Sequence, residues 1–157
     1  DEYLSFARGQ EGEAPVIADL SEMLQAVIEG YKNNGVNISF LKTSPILIPV
    51  RPQAMKRCLI NLIENASHFG TEVRIKAKLG DVVAEIIIED NGPGVSDNQK
   101  EEIFKPFYQV NTARSPNTGG AGLGLAIARD VARGHGGEIR MSDSDMGGLK
   151  AELKIPI

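Results

Sequence analysis

The sequence predicts a two-layer α/β sandwich, in which a mixed sheet packs against about three helices. Two observations support this fold class. Apolar residues recur at the 3.6-residue spacing of amphipathic helices at 19–32, 52–69 and 123–133. Short β-prone runs occur at 72–79, 82–90, 137–142 and 149–155. Helices and strands that alternate in this way are typical of a sheet covered by helices.

The composition fits one globular domain. The chain has 157 residues, of which 41% are hydrophobic and 24% charged, as is ordinary for a soluble protein. A net charge of −4 without a basic run argues against nucleic acid or an anionic membrane surface as a partner. The single Cys58 excludes an internal disulfide, and its apolar neighbours predict a small buried group rather than a nucleophile. No apolar run approaches the ~18 residues of a membrane span.

The first 15 residues are expected to lie outside the domain proper. Residues 1–8 have a helical pattern, and 9–15 combine two Gly, one Pro and several charges, which is typical of a break. The chain starts without Met and reads like a cut from something longer. We therefore expect 1–15 to be a helix end with its linker and 16–157 to be the domain.

The first predicted helix covers 19–32, with Asp19 as its N-cap. The β-prone runs 36–42 and 46–50 follow, and the turn residues between them predict a hairpin-like pair. The second helix is predicted over 52–69. The strands that come next end in three consecutive Ile and then Asp90, which predicts burial on both faces near the end of the second strand.

A short helix at 97–104 leads into the polar stretch 105–122, which is rich in Asn, Thr, Ser, Pro and Gly. A stretch this long without regular structure is typically functional, often as a lid. Phe104 and Phe107 stand where it begins, either as anchors of the lid or as core residues at a helix end. The third helix and a strand pair around the turn at Gly147-Gly148 complete the chain.

Two Asn residues in the second helix are the first candidate for chemistry. Asn61 and Asn65 lie on one helix face, together with Cys58 and His68. Asn is a poor helix-interior residue because its amide competes with the backbone. The pair favours amide oxygens in a polar pocket, where one could coordinate a cation held by phosphates, as Mg²⁺ usually is. The alternative is two solvent-exposed Asn on an amphipathic helix.

A carboxylate and two glycines form the second candidate. Asp90 ends a buried strand and can accept a hydrogen bond from an exocyclic amine such as adenine N6. Gly92 and Gly94 allow the backbone to approach a flat base closely. The alternative is an ordinary loop, because this segment is dense in turn formers.

The third candidate is the glycine-rich segment 119–125. It is neither a dinucleotide fingerprint nor a P-loop, because no strand feeds it and no Lys-Ser or Lys-Thr follows. It opens a helix whose free N–H groups suit a phosphate chain. A flexible linker is the alternative. In this order, the three segments describe a pocket for a purine nucleotide.

These segments together resemble the catalytic and ATP-binding domain of sensor histidine kinases. That group shares its ATP fold with type II topoisomerases such as gyrase, mismatch-repair ATPases and the Hsp90 chaperones. The matching motifs are the N box at 61–66, the G1 box at 90–94, the F box at 103–107 and the G2 box at 120–125. The resemblance covers roughly 16–157 and is greatest to osmosensor-type kinases. Residues 1–12 resemble the end of the dimerising helical hairpin.

The resemblance implies roles by position. Asn65 is the Mg²⁺ ligand, and Asn61 supports the phosphate and metal region as the catalytic residue. Asp90 binds the adenine amine. The implied nucleotide-binding set is Asn61, Asn65, His68, Phe69, Asp90, Gly92, Gly94, Val95, Phe107, Arg114, Gly120, Ala121, Gly122, Leu123, Gly124 and Leu125.

Three departures from the family pattern affect the phosphates. The family often has Lys or Arg at His68 with Tyr at Phe69, Thr at Ala121, and Arg at Gln109. The resemblance therefore implies weaker or differently charged phosphate contacts, with Arg114 as a possible substitute.

One position separates phosphate transfer from hydrolysis. Hydrolysing relatives activate water with a Glu four residues before the metal-binding Asn, where this chain has Asn61. Glu64 is expected to point about 100° away around the helix. The resemblance thus implies that ATP is kept for transfer to a His upstream, since neither His68 nor His135 has the context of a phosphoacceptor.

The main hypothesis is a protein-histidine kinase catalytic fragment that uses ATP and Mg²⁺. Its implied partners are its own dimerisation domain, which carries the acceptor His, and a response regulator. The fragment itself is expected to be a monomer and the cytoplasmic domain of an inner-membrane protein. The alternatives are a hydrolysing ATPase domain of the same fold, against which Asn61 argues, and a degenerate docking module, against which Asn65 and Asp90 argue.

Overall fold

The computed structural model describes residues 12–31, 35–41, 43–108 and 122–157. The strands in this part of the chain are β1 (Val16–Asp19), β2 (Asn37–Phe40), β3 (Leu47–Val50), β4 (Glu72–Leu79), β5 (Val83–Asp90), β6 (Glu138–Asp143) and β7 (Leu149–Pro156). Its helices are α1 (Leu20–Glu29), α2 (Pro52–Phe69) and α3 (Gly124–Gly134). Five strands form a mixed sheet in the order β2-β4-β5-β7-β6. The predicted α/β sandwich is confirmed.

The three helices occur where they are predicted, although α1 ends at Glu29, before the predicted limit of 32. Asp19 caps α1, because its Oδ1 accepts a hydrogen bond from the N–H of Ser21 over 3.0 Å. Both predicted limits of α2 are confirmed, with Pro52 in the first turn, where its missing N–H costs nothing. α3 begins at Gly124, one residue later than predicted, and ends at Gly134.

The core lies between the helices and one face of the sheet. Alternate residues of β5 are buried on this face, as Ile86 and Ile88 show, and they belong to one cluster with Leu59 and Ile63 of α2. Burial on both faces at the end of β5 is also confirmed. On the opposite face of the sheet, the outer face, Glu89 is the buried residue of β5, and only 4% of its surface is exposed. Ile87 is only half-buried.

The predicted hairpin between 36–42 and 46–50 is wrong. β2 pairs in parallel with β4, and β3 pairs antiparallel with β1, a strand that the sequence reading missed. Asp19 explains the second pairing, because its Oδ1 also accepts from the N–H of Ile46 over 2.9 Å and so holds β3 beside β1. The parallel pairing of β2 with β4 requires a crossover, which α2 supplies.

The remaining elements differ little from expectation. The short helix predicted at 97–104 is two 3₁₀ segments, Asp97–Gln99 and Glu102–Phe104. The final strand pair is confirmed as β6 and β7. Most of the predicted lid and most of the predicted N-terminal helix end and linker lie outside the described residues. Within those residues, no helix is long and apolar enough to cross a membrane.

One residue of the predicted linker contacts the domain. The carboxylate of Glu13 accepts hydrogen bonds from the backbone N–H groups of Gln53 and Ala54, over 2.7 and 3.1 Å. The N-cap residue of α2, Arg51, supplies no side-chain cap of its own. Glu13, which precedes Arg51 by 38 positions in the sequence (51 minus 13), therefore caps α2 in its place.

Candidate nucleotide-binding site

The two Asn residues of α2 have different environments. Asn61 is 8% exposed, and its Nδ2 donates to the carbonyl oxygen of Gly124 over 3.1 Å. Asn65, one turn further along, is half-buried. The alternative that both Asn residues are solvent-exposed is therefore excluded. Asn61 connects α2 to the first residue of α3, and so brings the first and third candidate segments together.

Exposure to solvent increases along this helix face towards the end of α2. Cys58 is fully buried, and its thiol donates to the carbonyl oxygen of Ala128 over 3.5 Å. Burial raises the pKa of this thiol to about 12, so the predicted small buried group is confirmed. At the end of α2 the rings of His68 and Phe69 meet edge to face, with their centroids 4.7 Å apart.

Asp90 is a buried carboxylate at the end of β5. It is 2% exposed, and its Oδ1 accepts from the N–H groups of Gly92, over 2.9 Å, and Leu149, over 3.3 Å. Burial raises the pKa of this carboxyl, and the two N–H donors oppose that rise. Because both donors bind Oδ1, neither engages Oδ2. A fixed acceptor of this kind suits an exocyclic amine.

The turn after Asp90 rests on the end of α2. A Cβ at Gly92 would lie 2.9 Å from the carbonyl carbon of Phe69, so only glycine fits there. The side chain of Asn91 fixes the same turn, since its Oδ1 accepts from the N–H groups of Thr71 and Glu72, over 2.9 and 3.0 Å. The sequence alone indicates no more than a turn former at Asn91. Its side chain holds the second candidate segment against the first.

The two Phe residues at the start of the lid differ. Phe104 is 5% exposed, and the guanidinium of Arg129 lies 4.0 Å from the centre of its ring. Phe107 is 64% exposed, has a positive φ of 67°, and its backbone N–H donates to the carbonyl oxygen of Gly122 over 2.9 Å. The prediction of an anchor or core residue therefore holds for Phe104. It is wrong for the ring of Phe107, whose backbone makes the contact.

The glycine segment reaches α3 through Gly122. Its φ is +78°, and a Cβ there would lie 2.9 Å from the Cα of Phe107, so a side chain is excluded. Among the residues that the structure describes, no side chain caps α3, and its first turn carries no acidic residue. The first N–H groups of α3 are thus available to an anion. Leu123 is buried and Leu125 packs on the core, so both contribute apolar contacts.

The other predicted site residues divide into two groups. Gly94, with φ of +71°, and Val95, which packs on the core, extend the turn that begins at Asp90. Arg114, Gly120 and Ala121 lie outside the described residues.

His135 has a structural role. Its Nε2 accepts from the backbone N–H of Arg51 over 3.0 Å, and its Nδ1 lies 2.7 Å from the carbonyl oxygen of Val131. Since an N–H must donate, Nε2 carries no proton and Nδ1 donates to Val131. This ring joins the end of α3 to the start of α2, and both of its nitrogens are engaged.

Comparison with known proteins identifies the class. The family model described as histidine kinase-, DNA gyrase B-, and HSP90-like ATPase matches residues 50–157. The chain belongs to this family, as its motifs predict.

Its relatives are sensor histidine kinases. GtrS of Pseudomonas aeruginosa is 36% identical over 138 residues, which are 88% of this chain and 28% of GtrS. CpxA of Escherichia coli is 36% identical over 107 residues, which are 68% of this chain and 23% of CpxA. The chain thus spans about a quarter of the length of these relatives.

Solved structures agree in fold. The ATP binding domain of PrrB from Mycobacterium tuberculosis has a TM-score of 0.76 at 25% identity, over 92% of this chain and 98% of that one. The histidine kinase domain of the E. coli osmosensor EnvZ has a TM-score of 0.68 at 27% identity, over 92% and 89% of the two chains.

Proposed function

We propose that this chain is the ATP-binding catalytic domain of a sensor histidine kinase. In this role it transfers the γ-phosphate of ATP to a His on a separate dimerisation domain. The observation that carries the proposal is the carboxylate of Asp90, which is buried and held through one oxygen by two backbone N–H groups. This carboxylate lies between the C-terminal end of α2 and the turn before β7. Asn61 and Asn65 are residues of the same helix.

Asp90 is proposed to select adenine. Adenine presents an amine at N6, whereas guanine presents a carbonyl oxygen at the corresponding position, which a carboxylate repels. Gly92 lets the turn after Asp90 rest on the end of α2, and Gly94 supplies a positive φ in that turn, so both glycines shape the backbone beside this acceptor. His68, Phe69 and Val95 are proposed to border the nucleotide on the same side.

The phosphates are proposed to lie between α2 and the start of α3. The uncapped N–H groups of α3 suit their charge, and Gly122 and Gly124 present backbone without side chains. Asn65 would hold Mg²⁺, which neutralises charge on the phosphates when bound. Within the described part of the chain no three His, Cys, Asp or Glu side chains form a metal-binding cluster. That finding fits an ion held mainly by phosphates and one amide.

The arrangement favours transfer over hydrolysis. At the position of the water-activating Glu of hydrolysing relatives stands Asn61, an amide that cannot act as a base. Glu64 lies 3.4 Å from the hydroxyl of Tyr31, next to the end of α1 and on a different side of α2 from Asn61. No observation favours the hydrolysing alternative.

The full-length protein sets the remaining partners. The acceptor His is proposed to lie on its own dimerisation domain, from which the phosphate passes to a response regulator. By analogy with the relatives, the domain is proposed to face the cytoplasm beneath an inner membrane. Six further residues are proposed to border the nucleotide, namely Phe107, Arg114, Gly120, Ala121, Leu123 and Leu125.

A calorimetric titration tests the proposal. The chain is titrated with ATP and with GTP, each with and without Mg²⁺. We expect ATP to bind at least about tenfold more tightly than GTP, since a buried acceptor left unpaired costs ~1–3 kcal/mol. Equal affinities would overturn the adenine role of Asp90, and absence of binding to either would overturn the proposed function.

A further inference from the structure

A second buried carboxylate lies beside Asp90. Glu89 is 4% exposed although its side chain points to the outer face of the sheet. Its Oε2 accepts from Nε and Nη2 of Arg74, over 3.2 and 3.0 Å, and its Oε1 accepts from the hydroxyl of Ser144 over 3.0 Å. Both carboxylate oxygens are therefore satisfied, as a buried charge requires.

Ser144 organises the turn between β6 and β7. Its Oγ accepts from the N–H of Met146 over 3.0 Å while donating to Glu89. Its backbone N–H donates to the carbonyl oxygen of Gly148 over 2.9 Å, and its carbonyl oxygen accepts from the N–H of Gly147 over 3.1 Å. The whole turn is thus closed on Ser144, whose hydroxyl ties it to β5. Arg74 adds a second tie through Asp145, 2.6 Å away.

The same turn is in contact with Asp90. A Cβ at Gly148 would lie 2.7 Å from the backbone nitrogen of Gly92 and would collide with the carboxylate of Asp90. The next residue, Leu149, donates its N–H to Oδ1 of Asp90. The position of the turn therefore decides whether Oδ1 has a second donor beside the N–H of Gly92, and how firmly the carboxylate is held.

We propose that Ser144 is a positioning residue for purine recognition. Its hydrogen bond to Glu89 holds the turn 144–148 against Asp90, so that the N–H of Leu149 occupies Oδ1 and Oδ2 remains directed at the base. The inference rests on the proposed adenine role of Asp90. It extends that role to Ser144 and Glu89, which lie outside the motifs of the nucleotide pocket.

If the turn 144–148 is loosened, only the contact to the N6 amine of the nucleotide is expected to change. The hydrogen bond from adenine N6 to Asp90 weakens when the acceptor is no longer fixed. Purine riboside triphosphate, which is ATP without the N6 amine, has no such bond to lose. The ratio of the two affinities therefore isolates positioning of Asp90 from general damage to the pocket.

The experiment measures the Kd of ATP and of purine riboside triphosphate for four forms of the chain by calorimetry. These are the unchanged chain, Ser144→Ala, Ser144→Thr and the control Ser142→Ala. Ser142 lies on β6, two residues before Ser144, is half-buried and pairs in register with Lys150. We expect the preference for ATP to fall about fivefold or more in Ser144→Ala. It should be retained in Ser142→Ala and in Ser144→Thr, which keeps a hydroxyl.

An unchanged preference in Ser144→Ala overturns the inference, and so does an equal loss of affinity for both nucleotides. If the unchanged chain binds both nucleotides equally, the adenine role of Asp90 fails first and the inference with it. If Ser144→Ala has no cooperative melting transition, Ser144→Cys replaces it, because a thiol is only a weak donor. Faster hydrogen exchange at the Leu149 amide is then expected together with the loss of preference, and normal exchange with normal preference overturns the inference.

Discussion

The side-chain amide of Asn61 donates a hydrogen bond to the carbonyl oxygen of Gly124 over 3.1 Å. This bond joins the middle of α2 to the first residue of α3. α2 carries the proposed metal ligand, and α3 begins where the phosphates are proposed to lie. One buried amide therefore links these two parts of the site directly.

Asn61→Ala should destabilise the fold. The variant loses a buried hydrogen bond, which typically contributes ~0.5–1.5 kcal/mol to the free energy of unfolding. Chemical denaturation measures the loss. Asn65→Ala is the matched control, because Asn65 is half-buried on the same helix, and it should change stability by less than about 0.5 kcal/mol. Equal losses in the two variants would contradict the structural role of Asn61.

Asn65→Ala should instead change the response to Mg²⁺. If Asn65 holds the ion, the variant binds ATP with the same affinity in the presence and absence of Mg²⁺, while its melting temperature stays that of the unchanged chain. Paired titrations measure this. A variant that retains the full Mg²⁺ dependence would show that another group binds the metal.

Local sequence signals predicted the three helices well, whereas the nucleotide-binding role of the three candidate segments stays a prediction. Pro52 and the apolar spacing after it define α2 within the chain itself, and Asn61 and Asn65 follow from helix geometry. These features depend on neighbours a few residues away, so the sequence displays them directly.

Features that depend on distant contacts were missed. β1 is four residues long, and its partner β3 is recognisable only once Asp19 is seen to bond both Ser21 and Ile46. Likewise Ser144 reads as one more turn residue, and nothing in its neighbourhood indicates a bond to Glu89, 55 positions earlier. Strand partners and buried polar pairs are set by the folded chain as a whole.

Asp90→Asn should separate stability from binding. The pKa of Asp90 is raised because burial disfavours its charged form, so the folded state holds this proton to higher pH than the unfolded state does. Asp90 therefore contributes stability that is lost as pH rises from about 4 through that raised pKa, and the Asn variant lacks this contribution. ATP binding should weaken by about 2 kcal/mol or more, since the Asn amide presents a donor to a donor.

Melting temperatures from about pH 2 to 7 measure the stability difference, because the contribution of a carboxyl with a lowered pKa is lost below about pH 4. Titration measures the affinity. Asp97→Asn is the contrasting control. Lys100 lowers the pKa of Asp97, so that carboxylate stabilises the fold at higher pH and the contribution is lost as pH falls. A stability difference between Asp90→Asn and the unchanged chain that is the same at every pH would contradict the account of Asp90.

Glu13→Ala should weaken the start of α2. The variant leaves the N–H groups of Gln53 and Ala54 without their carboxylate partner, and loss of such a cap typically costs about 1 kcal/mol. A chain that begins at Val16 should lose the same amount, whereas Gln53→Ala, an exposed change that keeps the cap, should not. Chemical denaturation checks all three. If removal of residues 1–15 leaves stability unchanged, Glu13 does not cap α2.

Phosphate transfer in trans is the most direct test of the proposed function. The chain is incubated with ATP labelled at the γ-phosphate, first alone and then with the separately produced dimerisation domain of its full-length protein. We predict little phosphate release by the chain alone, because Asn61 supplies no base and water attack lacks an activation typically worth ~10²–10⁴-fold. With the acceptor domain, we predict a label that is lost in acid and kept in base, as for a phosphohistidine. Rapid phosphate release by the chain alone, with no label on the acceptor domain, would contradict the account and favour a hydrolysing ATPase.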